Sequence, residues 1–126
     1  MSKANLQDMS ASELIDSFAA LAVEQDNAER QGKHGDIASI TRLFWQMDAL
    51  KNELKNRDGD QRRELLVLFD HPNMHVRLKA AKASLAVAPE AARRMLESIA
   101  SSRRQPQAGD AGMCLWNLDR GVFVPE

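Results

Sequence analysis

At 126 residues and 14.1 kDa, the chain has the length of one ordinary domain and can bury roughly two-thirds of its unfolded surface. Its composition is 44% hydrophobic and 28% charged, with 18 alanines, 14 leucines and no tyrosine. That mixture excludes wholesale disorder and favours helix over sheet. A net charge of −1 supplies no global field for nucleic acid or membrane, and a single cysteine excludes an internal disulfide.

Ser10 and Glu13 stand at capping-box spacing and open a first helix that reaches about residue 31. At 100° per residue its apolar stripe is Leu14, Phe18, Leu21, Ala22, Gln25 and Ala28, with Glu24, Asp26 and Glu29 on a wet face. Gly32 suits a C-terminal cap, and Asp36 an N-cap for a second helix reaching about residue 57. The second stripe is Ile37, Ile40, Leu43, Phe44, Met47, Leu50 and Leu54. Trp45 falls nearly opposite it, on a face shared with Ala38 and Ala49. Asp58-Gly59-Asp60 is a turn. A short helix over about 61–69 follows, apolar on nearly all sides after its first turn, so it needs cover on more than one face.

Pro72 breaks the chain and Asn73 caps a fourth helix, about 74–87. It has two apolar faces, Val76-Ala80-Ala83-Val87 and Met74-Leu78-Ala81-Leu85. Pro89 opens a fifth helix to about residue 101, with the stripe Ala92, Met95, Leu96 and Ile99. Pro106 opens a sixth that ends near Gly121. Residues 1–10 and 122–126 read as flanking tails of one domain covering 1–126. The longest early apolar run, 18–23, is far short of a membrane span, and the expected location is cytoplasmic.

The stretch Leu65-Leu66-Val67-Leu68-Phe69-Asp70-His71-Pro72-Asn73, followed by Val76-Arg77, Ala80-Ala81 and Leu85, resembles one HEAT repeat. The resemblance covers about residues 61–87. It implies a pair of antiparallel helices, with Asp70 and Arg77 linked around the loop. Over most of its length the chain also resembles a small bacterial family of single-domain proteins, HEAT-like in fold and without an assigned activity. That likeness lies in Val23-Glu24-Gln25-Asp26, in segments 54–66 and 70–93, and in Asp110-Ala111-Gly112-Met113. The expected fold is therefore all-α, a right-handed stack of about three antiparallel helix pairs. Asp70, Asn73 and Arg77 are its structural residues.

The motifs of catalysis are not assembled. His71 and His75 are four apart, but Pro72 places His71 in a turn; His34 lies between glycines. Cys114, in the run Gly112-Met113-Cys114-Leu115-Trp116, reads as an inert buried thiol. Asp58-Gly59-Asp60 lacks the later glutamate of a calcium loop, since Leu65 stands in its place. No phosphate-cradling glycine motif occurs. No catalytic residue, metal or cofactor is expected. The leading expectation is a non-catalytic protein-interaction module, binding a partner protein or a second copy, with Trp45, Ala38 and Ala49 at the contact. The alternative is nucleic-acid binding through the positive C-terminal half, where residues 61–126 carry 10 basic and 7 acidic side chains. Its face would be Arg62, Arg63, Lys79, Lys82, Arg93 and Arg94.

Overall fold

The computed structural model describes residues 5–30 and 37–126. Its elements are a 3-10 turn at Leu6–Asp8, α1 (Ala11–Arg30), α2 (Ile37–Asn56), a 3-10 helix at Gln61–Asp70, α3 (Met74–Ser84), α4 (Pro89–Ser101) and α5 (Gln107–Asp119). The chain is all-α, with no strand among the described residues. Gly32, His34, Gly35 and Asp36, which the sequence assigns to the turn between the first two helices, lie outside the described residues. Where the sequence suggests one domain, the packing divides into two compact units, Met1–Glu64 and Leu65–Glu126.

In the first unit the capping box forms as the spacing requires. Glu13 N–H donates to Ser10 Oγ at 3.1 Å, and Ser10 N–H donates to Glu13 Oε1 at 2.8 Å. The bond from Ser10 N–H, joined by the Ser10 side chain, holds the Glu13 carboxyl below the ordinary carboxylate range. α1 buries Leu14, Ile15, Phe18, Ala22 and Asp26. Asp26 is thus a correction to the wet face expected for it: its carboxylate is buried and accepts a 3.1 Å bond from Arg30 Nε one turn later. α2 buries Leu43, Met47, Leu50 and Leu54. Ile37, Ile40 and Phe44, counted in the same stripe from the sequence, are exposed instead. The residues before α1 are more than a tail. Asn5 Oδ1 accepts from Gln7 N–H at 3.0 Å and caps the 3-10 turn Leu6–Asp8.

The segment Gln61–Asp70 winds as a 3-10 helix, where the sequence suggests an α-helix. At three residues per turn, positions three apart eclipse. Leu65 and Leu68 are both buried in this way, while Val67 is turned out and 67% exposed.

α3 begins where Asn73 caps it, its Oδ1 accepting from His75 N–H at 2.8 Å and Val76 N–H at 3.2 Å. It ends at Ser84, three residues before the sequence expectation. The Ser84 carbonyl there accepts from both Val87 and Ala88 N–H. The two-faced reading of this helix is visible in its burial, since Val76 and Ala80 are as buried as Leu78 and Ala81. Ala83 and Val87 are only half-buried.

Pro89 takes a first-turn position in α4. The core of the second unit is built from Leu78, Ala81 and Leu85, with Ala92, Leu96 and Ile99 of α4 and Ala111 and Cys114 of α5. Each of the three helices brings an alanine to this core, which lets their backbones approach closely. Gly121, with φ of +71°, closes α5 in a left-handed conformation that glycine adopts without penalty. The chain then folds back, so that Val122 and Phe123 N–H both donate to the Asn117 carbonyl.

Replacing the α3 cap tests this local account. Asn73→Ala strips the acceptor from two helix-end N–H groups and is expected to cost about 1 kcal/mol. A lowered midpoint in urea denaturation, with an unchanged slope, is the expected result.

Candidate interaction surface

α1, α2 and the segment before α1 enclose an open groove of about 580 Å³. Leu21 of α1, Leu50 and Trp45 of α2, and Leu6 and Met9 of the preceding segment give it apolar walls. Ala20 and Ala49 face it with single methyl groups, so little side-chain bulk fills the space between the two helices. The third wall is tied down by Arg57, at the end of α2. Its Nη2 donates to the carbonyls of Leu6 and Met9 at 2.9 and 2.6 Å. Glu53, one turn earlier on α2, orients the guanidinium by accepting from Nε at 2.8 Å.

Trp45 stands at the edge of this groove and is 60% exposed. Its ring meets Phe44 edge to face, with centroids 5.0 Å apart and planes at 81°. Of the three contact residues read from the sequence, the groove brings Trp45 and Ala49 together. Ala38 is exposed but does not line it. Leu6 and Met9 escaped the sequence reading because they lie in what looks like a polar tail. Phe44, Ile40 and Ile37 have the spacing of core residues. The signal that could have separated them is the width of their stripe: it spans about 140° of the helix circumference, and the buried residues take up only the sector from Leu50 to Met47.

Three of the six basic residues of the alternative reading are held by carboxylates. Arg62 is buried and forks onto Asp60, Nε to Oδ1 at 2.9 Å and Nη2 to Oδ2 at 2.7 Å. That pairing holds the Asp60 carboxyl below its ordinary range. Lys82 Nζ is 2.8 Å from Asp110 Oδ1. Arg93 bridges to Asp119 at 2.9 Å and to Glu97 at 3.3 Å. Arg63 and Arg94 are exposed and Lys79 is half-buried. Arg62, Lys82 and Arg93 are therefore matched by carboxylates, which weakens their pull on phosphates.

The loop before α3 departs from the expected Asp70–Arg77 link. Arg77 Nη1 donates to the His71 carbonyl at 2.8 Å, and Asp70 is exposed. A main-chain oxygen thus replaces the carboxylate as acceptor, still fastening the turn to α3. The two histidines serve packing and turns: His71 Nδ1 accepts from Asn73 N–H at 3.0 Å, and buried His75 lies 3.3 Å from Gln107 Nε2. Among the described residues no three histidine, cysteine or acidic side chains gather where a metal could bind. Burial pushes the Cys114 thiol above its ordinary pKa and keeps it protonated. Its neighbours in the run expected to be buried are split, since Met113 and Trp116 are exposed. The Arg120 guanidinium lies 4.3 Å over the Trp116 ring.

The chain belongs to a family described as a domain of unknown function (DUF2019), whose model matches residues 12–119. It is similar to the protein RPA1889 from Rhodopseudomonas palustris CGA009, known from a crystal structure. The two are 52% identical, with 98% of this chain and 100% of that chain covered and a TM-score of 0.92. No curated protein matches the chain.

Two outcomes are expected from these contacts. Arg57→Met keeps the aliphatic stem and removes the donors, so amide exchange at Asp8 and Met9 should quicken by about tenfold or more while α2 keeps its protection. The second concerns acid. A carboxyl whose folded pKa is depressed stabilises the fold above its unfolded value, and that contribution disappears as pH falls through the folded one. Asp60→Asn should therefore be less stable than wild type near pH 7. The difference between their urea midpoints should close from roughly pH 4 downward.

Proposed function

We propose that this chain is a non-catalytic protein-interaction module and that its contact surface is the part of α2 around Trp45. The observation that carries this reading is a tryptophan 60% exposed at the edge of an apolar groove. A large aromatic ring in that setting loses little conformational freedom on binding and removes much apolar area from water, as the central residues of interfaces do. The groove has few polar groups to orient a small substrate, and its hydrocarbon walls suit side chains of another protein. The chemistry elsewhere accords with this. The depressed carboxyls are occupied by ion pairs or caps, and the thiol is protonated.

Architecture and location belong to the same reading. We take the 3-10 helix Gln61–Asp70 with α3 as a HEAT-like unit, on the strength of its leucine-rich first half, the Asn73 cap and the Arg77 bond to His71. Helical repeats of this kind offer extended surfaces for other chains. A cytoplasmic setting fits a protein whose only cysteine is buried and unpaired.

The test is a partner isolated from the native host with the full chain, followed by affinity measurement with Trp45→Ala. Loss of an anchor tryptophan is worth about 2 kcal/mol or more, which corresponds to roughly thirtyfold weaker binding. The variant should keep the wild-type circular dichroism spectrum, because the side chain is largely outside the core. Wild-type affinity in the folded variant would remove Trp45 as anchor. Tight binding of random RNA or DNA at physiological salt, without a protein partner, would transfer the function to the alternative.

A further inference from the structure

We propose that the protein seated on α2 is a second copy of this chain, paired antiparallel about a twofold axis that passes beside Thr41; this rests on the protein-interaction reading above. Within nine residues α2 exposes four large apolar side chains: Ile37 at 70%, Ile40 at 47%, Phe44 at 52% and Trp45 at 60%. At 100° per residue they fall in one sector, from Ile40 through Phe44 and Ile37 to Trp45. Thr41 lies within that sector, between Ile37 and Trp45 both in angle and in sequence. The patch is a ridge along a helix, so it suits a flat or ridged partner such as another helix.

Self-pairing makes a specific demand. In a twofold contact both copies use the same surface, and if one residue meets a second, the second meets the first in return, so the surface must complement itself. An axis at position 41 sets Ile37 of one copy level with Trp45 of the other, on the opposite flank of the seam. On one flank of the seam Phe44 then lies beside Ile37 of the other copy, and on the other flank Trp45 lies beside Ala38, a large ring against a single methyl group. The same register brings Ala38 of the second copy to the edge of the groove at Trp45. The stretch 37–45 carries one charge, Arg42. It lies about 100° around the helix from Thr41, so the two Arg42 side chains fall on one flank at the solvent edge of the seam, where water screens them, and the two Ile40 side chains meet on the other flank.

The area is consistent with this occupant. Taking ordinary side-chain areas, the four exposed residues present roughly 450 Å² per copy, within the range of functional patches on single proteins. Two copies would bury at most roughly 1,000 Å² once Ala38 and Thr41 are included, in the range of weak, transient interfaces. A contact of that size belongs with weak, reversible assemblies.

Sedimentation velocity of the full chain from about 1 to 300 µM reads the state directly. The expected result is a monomer–dimer equilibrium in that range, weakened about tenfold or more by Phe44→Glu and by the milder Ile40→Ser, both at exposed positions. Under mild oxidation Thr41→Cys should form a disulfide-linked dimer, since Cys114 is buried and the new thiol lies at the axis. Asn56→Cys, at the far end of α2, should not. A wild-type chain that stays monomeric at about 300 µM overturns self-pairing. The wider reading would then still stand or fall on the Trp45→Ala measurement with a host protein. A dimer that survives both Phe44→Glu and Ile40→Ser, or that crosslinks at Asn56→Cys in preference to Thr41→Cys, uses another face and also overturns the proposal.

Discussion

The Arg57 guanidinium fixes the one wall of the groove that helix packing alone would not supply. α1 and α2 are long and hold each other through apolar stripes, but Leu6–Asp8 is a single 3-10 turn with no buried residue of its own. A turn that short has no independent stability. It is held because two carbonyls that would otherwise need water find a charged donor, and because Glu53 restrains that donor from the helix it sits on. A bond between a charged donor and a neutral acceptor is worth more than an ordinary one, and two from one nitrogen set position as well as energy. The shape of the apolar groove thus depends on a polar contact at its border.

The second determinant is a mismatch between the apolar width of α2 and the width that is covered. Leu43, Met47, Leu50 and Leu54 are buried, yet Ile40, Phe44 and Ile37 continue the same stripe into solvent, and Trp45 lies beyond them. Isolated exposed apolar residues are ordinary on protein surfaces, whereas four within nine residues form a continuous patch. Phe44 and Trp45 meet edge to face, so one ring's edge and the other's face are partly shielded, a small local compensation. The patch and the groove meet at Trp45, which gives that one side chain access to both.

Much of the fold is legible in the sequence because its signals are local. A capping box, an asparagine before α3 and a proline at the start of α4 each act over one turn, and each begins a helix where the spacing places it. The alanine-rich faces of α3 were legible for the same reason. What could not be read depends on competition between distant groups. A leucine-rich run such as 61–69 suits α and 3-10 winding alike, and the choice lies with its surroundings. Ile37, Ile40 and Phe44 have the spacing of core residues, and only the extent of their cover decides otherwise. The basic residues look like a patch in sequence, but Asp110 and Asp119 lie 28 and 26 residues from the lysine and arginine they neutralise. Trp45 was recognisable by its angle, while Leu6 and Met9 became part of the groove only through an arginine 51 and 48 residues away.

The burial of Cys114 gives the second unit an internal clock. Its thiol is packed among α3, α4 and α5, and burial keeps it in the unreactive protonated form. An alkylating reagent needs both access and a thiolate, and the native packing denies both. Modification must therefore wait for α5 to part from its neighbours. When resealing is fast compared with the chemistry, the labelling rate at neutral pH equals the intrinsic thiol rate multiplied by the fraction of time the unit stands open. The chain thus carries, without any engineered probe, a single-site gauge of how often its alanine-lined helix contacts come apart.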